Sequence, residues 1–158
     1  MKEFEVKIKV VEATDNELPE QLRKLVDTAR QATERSYAPF SNFHVGAALL
    51  LSNGEIISGS NQENAAYPSG TCAERTCAFY AHSTYPQEKF VAIAVAARDT
   101  SGEFVDDPVA PCGACRQVLL EFEKTSGQPV RVILCGKDRV FMLDSVQDLL
   151  PLAFVDFD

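Results

Sequence analysis

Residues 89–97, KFVAIAVAA, constrain the fold more than any other stretch. After the leading lysine the run carries no polar side chain. A strand with one face in water alternates apolar and polar residues, whereas a strand covered on both faces is apolar throughout. The run therefore predicts a central strand with a layer of chain on each side, and the other elements must supply those layers.

Helical candidates are at hand. From Pro19 to about Ser36, apolar residues recur at spacings of three and four (Leu22, Leu25, Val26, Ala29, Ala32). A second helix is expected over 72–83, and a third over 112–124 with Val118, Leu119 and Phe122 on its apolar side. Two apolar runs within 44–61 flank Asn53-Gly54, a strong short-range hairpin signal. VRVILC (130–135) and RVFMLD (139–144) read as strands, and SVQDLL (145–150) as a short terminal helix. FEVKIKV (4–10) puts Phe4, Val6, Ile8 and Val10 on one face and reads as a further strand, so residues 1–12 are expected to hold an extra N-terminal strand. The sum is an α/β layered fold in a single domain over 1–158, with no repeats, linkers or low-complexity segments.

The totals narrow the partners. A chain of 158 residues can bury about 70% of its unfolded surface. It needs no metal merely to fold, so a metal found in it serves function. Net charge is −8 and there is no basic run, which argues against nucleic acid and for a small uncharged or cationic ligand. The longest apolar stretch, near 45–51, is far too short to span a bilayer, and the first residues lack the apolar core of an export signal. A cytoplasmic setting is expected, with the five cysteines as reduced thiols, a metal site, or both.

Three of those cysteines stand at predicted helix starts: Cys72 before one helix, and Cys112 and Cys115 in a C-x-x-C after Pro111. Helix N-termini favour thiolates, the form that zinc binds. Three protein ligands leave the fourth tetrahedral position open, which is the catalytic pattern. Glu74, two residues past Cys72, can then lie beside the water a zinc activates and move its protons without being a ligand. A C-x-x-C alone reads equally well as a redox pair; Pro111, Cys72 and Glu74 together favour the metal. Cys77 falls off the Cys72 helix face and Cys135 ends a strand, so both read as core or free thiols, and His44 and His82 read as structural. Cys-x-Glu followed by Pro-Cys-x-x-Cys matches the zinc deaminase signature.

With FHVGAALL (43–50), NQENAAY (61–67), CAERTC (72–77), PCGACRQ (111–117) and LLPLAF (149–154), the chain resembles the small zinc-dependent cytidine deaminases of the homotetrameric type. The resemblance implies a three-layer α/β/α sandwich with a mixed central sheet. It implies one Zn²⁺ per chain on Cys72, Cys112 and Cys115, with Arg75 donating hydrogen bonds to the ligand sulfurs and Glu74 as the proton shuttle. Asn61 and Glu63 would grip the ribose 3′-hydroxyl with Gln62 between them, Phe43 would pack against the base, and the Ala73 N–H would meet the base carbonyl. Phe154 would reach into a neighbouring subunit's site of a homotetramer. The implied reaction is hydrolytic deamination of cytidine and 2′-deoxycytidine. A cytosine-nucleoside antibiotic or a modified cytosine nucleoside is the alternative substrate. Two other classes remain open at this point, a zinc-stabilised binding protein without turnover and a thiol redox protein. Two features depart from the family pattern. Phe40 occupies a position where members often carry Tyr, and the first dozen residues lie outside the compact core.

Overall fold

The all-apolar run becomes β4 (Phe90–Arg98), hydrogen-bonded to β2 (His44–Leu51) on one side and β5 (Arg131–Cys135) on the other. In the computed structural model, which describes residues 1–156, these strands join β1 (Val11–Ala13), β3 (Ile56–Ser60) and β6 (Val140–Leu143) in one sheet of order β1-β6-β5-β4-β2-β3. β4 and β5 run parallel and the other neighbours antiparallel. The sheet is therefore mixed.

The two faces of β4 differ in bulk, and the helices sort accordingly. Ala92, Ala94 and Ala96 face α1 (Glu20–Ala32), which presents Leu22, Leu25, Val26 and Ala29 to them. Phe90, Ile93 and Val95 face the other way, toward α2 (Ala73–Thr84) and α3 (Gly113–Ser126). Helices on both sides make the three-layer α/β/α sandwich. Two glycines set the closeness of the layers. A Cβ on Gly46 of β2 would lie 2.2 Å from the Ala29 carbonyl oxygen of α1, and one on Gly59 of β3 would lie 2.7 Å from the Cys77 nitrogen of α2. Both distances are below any tolerable contact, and the obstructing atoms are backbone. α2, which carries Glu74, can rest on β3 only because position 59 has no side chain.

Most predicted elements form. The 44–61 hairpin turns with Gly54 at φ 87°. Gly127 at φ 65° ends α3 in the left-handed conformation that glycine adopts freely. The terminal helix is one 3₁₀ turn, Val146–Leu149.

The N-terminal strand is displaced from its expected place. Pairing begins at Val11, opposite Met142 of β6, and residues 4–10 form no strand. The reason lies in the partner. In the register of that pair Val10 would face Leu143, the last residue of β6, so residues 4–9 find no ladder among the described residues, and Phe4, Val6, Ile8 and Val10 remain exposed.

Candidate active site

Cys72 and Cys112 are the residues just before α2 and α3, both with extended backbone (φ −71°, ψ 155° and φ −64°, ψ 164°). Neither thiol caps its own helix. The two sulfurs lie 3.8 Å apart instead. Cys115, one helical turn into α3, falls on the same side as Cys112. The three Sγ atoms all lie within 4.8 Å of one another. Zn–S bonds of about 2.3 Å at tetrahedral angles would hold sulfurs about 3.8 Å apart. The donor set therefore fits one zinc ion with its fourth position open.

The electrostatics divide the thiols of the cluster. The Cys72 thiol is drawn down to about 5, first by its hydrogen bond with Cys115 and then by Arg75 and Cys112. Cys115 moves the opposite way, held protonated by donating to Cys72 and by burial. The Arg75 Nη2 stands 3.6 Å from the Cys72 sulfur, and its buried Nε has no acceptor among the described residues. Glu74, the second residue of α2, is 4% exposed. Burial raises its carboxyl pKa, and the neighbouring Cys72 charge adds to the effect. A buried carboxyl with a raised pKa beside the cluster can take up a proton and return it.

Cys77 and Cys135 stay out of the cluster, as the sequence implied. Both are buried, and burial pushes each thiol up to about 12. The Cys77 thiol donates to the Ile57 carbonyl at 3.1 Å. His44 pairs with the Ser36 hydroxyl, and the His82 ring packs on Phe122 at 5.1 Å, so neither approaches the sulfurs as a ligand.

A cavity of about 450 Å³ opens beside Cys72 and Arg75 and extends past Asn61, Gln62 and Glu63 to Phe40 and Tyr67. That volume suits a small organic ligand. Its polar wall is a strip of extended chain clamped on both sides. Residue 37 exchanges backbone hydrogen bonds with residues 61 and 63, and Gln62 does so with Thr71 at 2.8 Å in each direction. The Asn61 side chain accepts from the Val45 N–H (2.8 Å) and donates to the Phe43 carbonyl (2.9 Å). One amide hydrogen and one oxygen lone pair are left for a ligand. The Glu63 carboxylate accepts from the Phe40 N–H at 2.8 Å and the Ser41 hydroxyl at 2.5 Å, and these bonds lower its pKa. Gln62 turns its amide to the Arg35 carbonyl and the Ser60 hydroxyl.

Residues 19–127 match the family of the cytidine and deoxycytidylate deaminase zinc-binding region. The chain belongs to that deaminase family. A cytidine deaminase of Sporosarcina psychrophila is 50% identical over 133 residues, covering 84% of this chain and 90% of that one. One from Halalkalibacterium halodurans is 44% identical, covering 85% and 94%. The crystal structure of a cytidine deaminase from Burkholderia pseudomallei superposes with a TM-score of 0.71 at 41% identity, covering 83% of this chain and 97% of that one. The zinc-binding region of the family contains the Cys72, Cys112 and Cys115 cluster.

Not every expected residue of a deaminase site reaches the cavity within one chain. Phe43, Ala73 and Phe154 are not part of its wall among the described residues. Ala73 is buried as the first residue of α2, and Phe154 is 62% exposed. Conversely, Ser41 and the edge-to-face pair Phe40–Tyr67 (centroids 5.8 Å apart) line it without having been assigned roles from the sequence. Tyr67 ends the NQENAAY motif, and that placement was the available signal. Nothing local marked Ser41 as the partner of Glu63.

Proposed function

We propose that this chain is a zinc-dependent hydrolase converting cytidine and 2′-deoxycytidine to uridine and 2′-deoxyuridine with release of ammonia. The observation that carries this reading is the junction of a three-sulfur cluster, a buried glutamate and a nucleoside-sized cavity at one end of α2. Relatives of this length and identity named cytidine deaminases support the substrate.

Cys72, Cys112 and Cys115 hold the zinc, which when bound supplies the activated water for attack. Arg75 moderates the charge of the sulfurs from 3.6 Å. Glu74 accepts a proton from the attacking water as the C–O bond forms at C4, and delivers a proton to the ring nitrogen N3. It then takes the second proton of that water from the C4 hydroxyl and hands it to the amine as the C4–N bond breaks, so the nitrogen leaves as ammonia. Its raised pKa matches the need to give as well as to take. Asn61 and Glu63 bind the ribose 3′-hydroxyl through the amide capacity and carboxylate left after their structural bonds, and the clamped strip at Gln62 keeps them in register. The Ala73 N–H meets the base carbonyl, and Phe43 packs against the base.

Phe154, set outside its own chain's cavity, serves a neighbouring subunit of a homotetramer. Its carbonyl accepts a hydrogen bond from the Gln117 side chain of α3, which fixes the backbone there, and the residue is 62% exposed. Five cysteines without a disulfide suit the reducing cytoplasm, and no helix among the described residues is long and apolar enough to cross a membrane.

A panel of nucleosides tests the reading. Cytidine and 2′-deoxycytidine should lose ammonia at comparable efficiency. 3′-Deoxycytidine should fall by up to about 10⁴-fold in kcat/KM, because it leaves the hydroxyl-binding groups of Asn61 and Glu63 unpaired. Absence of cytidine turnover by zinc-loaded protein would overturn the activity, and full turnover of 3′-deoxycytidine would overturn the role of Asn61 and Glu63.

A further inference from the structure

Residues 3–10 have a strand's pattern and, among the described residues, no strand partner. Phe4 (80% exposed), Val6, Ile8 and Val10 form an apolar face in water, and the opposite face carries Glu3, Glu5, Lys7 and Lys9. Lys7 Nζ lies 3.8 Å from the Glu5 carboxylate, as side chains two apart on one face of extended chain must. The order of charges is two acids followed by two bases. Such an order is complementary to itself when reversed. Laid antiparallel on a second copy with residue i opposite residue 12 − i, Glu3 meets Lys9 and Glu5 meets Lys7 on one face. On the other face Phe4 meets Ile8, and Val6 meets its own copy on the two-fold axis. A parallel in-register pairing would instead put Glu3 on Glu3 and Lys7 on Lys7. Opposite charges directly across a ladder stabilise it and like charges do the reverse. A contact in which i meets j and j meets i is what a two-fold interface requires.

We infer that the N-terminal arms of two copies of this chain pair as an antiparallel β-ribbon centred on Val6. The arm leaves its own sheet where β6 ends at Leu143, so its ladder groups are free to take a partner from outside. A lone two-stranded ribbon is only marginally stable in water. The pairing thus rests on the assembly of copies proposed above, which raises the local concentration of one arm around another. Like-charged and mismatched arms would be rejected, so the ribbon also selects which subunits adjoin.

Cysteine placement tests the register. Opposed Cα atoms in an antiparallel pair are about 4.5–5.5 Å apart, within disulfide reach. Zinc-loaded Val6→Cys protein treated with diamide should give a covalent dimer on a denaturing non-reducing gel, and the wild type, with its native cysteines, should not. Phe4→Cys and Ile8→Cys chains should each stay monomeric on that gel alone and cross-link when co-assembled. Adding Glu3→Lys and Glu5→Lys to Val6→Cys should cut the yield severalfold, and further adding Lys7→Glu and Lys9→Glu should restore it. Light scattering on the wild type and on chains lacking residues 1–10 reads the body's assembly separately. Assembled protein without the Val6→Cys dimer overturns the ribbon and leaves the assembly standing. A Val6→Cys dimer from a body that does not otherwise assemble upholds the ribbon and overturns the assembly. Equal cross-linking of Phe4→Cys alone, or indifference to charge reversal, overturns the register.

Discussion

At the residue scale, five cysteines divide into two kinds by surroundings rather than by sequence. Cys72 is drawn toward thiolate by Cys115 and Arg75, whereas Cys77 and Cys135 are pushed up to about 12 by burial. With zinc removed, iodoacetamide should therefore modify Cys72 and the exposed Cys112 in the folded protein, and Cys77 and Cys135 only after unfolding. Bound zinc should protect the first pair, and Cys112→Ala should lose most of the roughly one equivalent of metal. Mass spectrometry and elemental analysis read both outcomes, and metal retained in full by Cys112→Ala would remove that residue from the site. The triad was legible in the sequence because helix-start position is a local property. The double use of Asn61 and the bond between Ser41 and Glu63 were not, because each joins segments brought together only by the folded hairpin.

At the element scale, the apolar run at 89–97 announced a doubly covered strand, and helical spacing announced the layers. What the sequence could not announce was which helix takes which face. That follows from alternation of small and large residues along β4, alanines toward α1 and Phe90, Ile93 and Val95 toward α2 and α3. The N-terminal strand failed for a complementary reason: pattern specifies a strand's faces, but its ladder depends on a partner, and β6 is too short. The carboxylate of Glu123, on α3, was equally hidden. It accepts from the Val130 N–H at 2.8 Å and the Val146 N–H at 2.7 Å, tying the chain on either side of the β5–β6 pair to the helix. The two close-contact glycines give a paired prediction. Gly59→Ala and Gly46→Ala should each cost about 1–3 kcal/mol of stability through overpacking. Only Gly59→Ala, which displaces the helix bearing Glu74 and beginning at Cys72, should also lower cytidine turnover and zinc affinity in protein that remains folded. Equal loss of turnover in folded Gly46→Ala would contradict the assignment of site geometry to the seat of α2 on β3.

At the scale of the whole molecule, the cavity of one chain is walled by Phe40, Tyr67 and the 61–63 strip, and the ring of Phe154 lies outside it. If neighbouring subunits complete each other's sites, mutants should complement. Phe154→Ala alone should weaken kcat/KM about fivefold, in keeping with roughly 1 kcal/mol for an aromatic contact. Co-assembled with Glu74→Gln chains, which bring an intact Phe154, its activity per intact Glu74 should rise above that of Phe154→Ala alone. Simple dilution on mixing would place Phe154 within its own chain. The central claim, that a buried glutamate beside a three-cysteine zinc centre moves the protons of cytidine deamination, is tested most directly by zinc content and cytidine turnover measured together on assembled Glu74→Gln protein. The glutamine keeps the size of the side chain and its hydrogen bonding but cannot carry a proton, so zinc should stay at about one equivalent while kcat falls by at least about 10²–10⁴-fold. Turnover near the wild-type rate with zinc in place would contradict it.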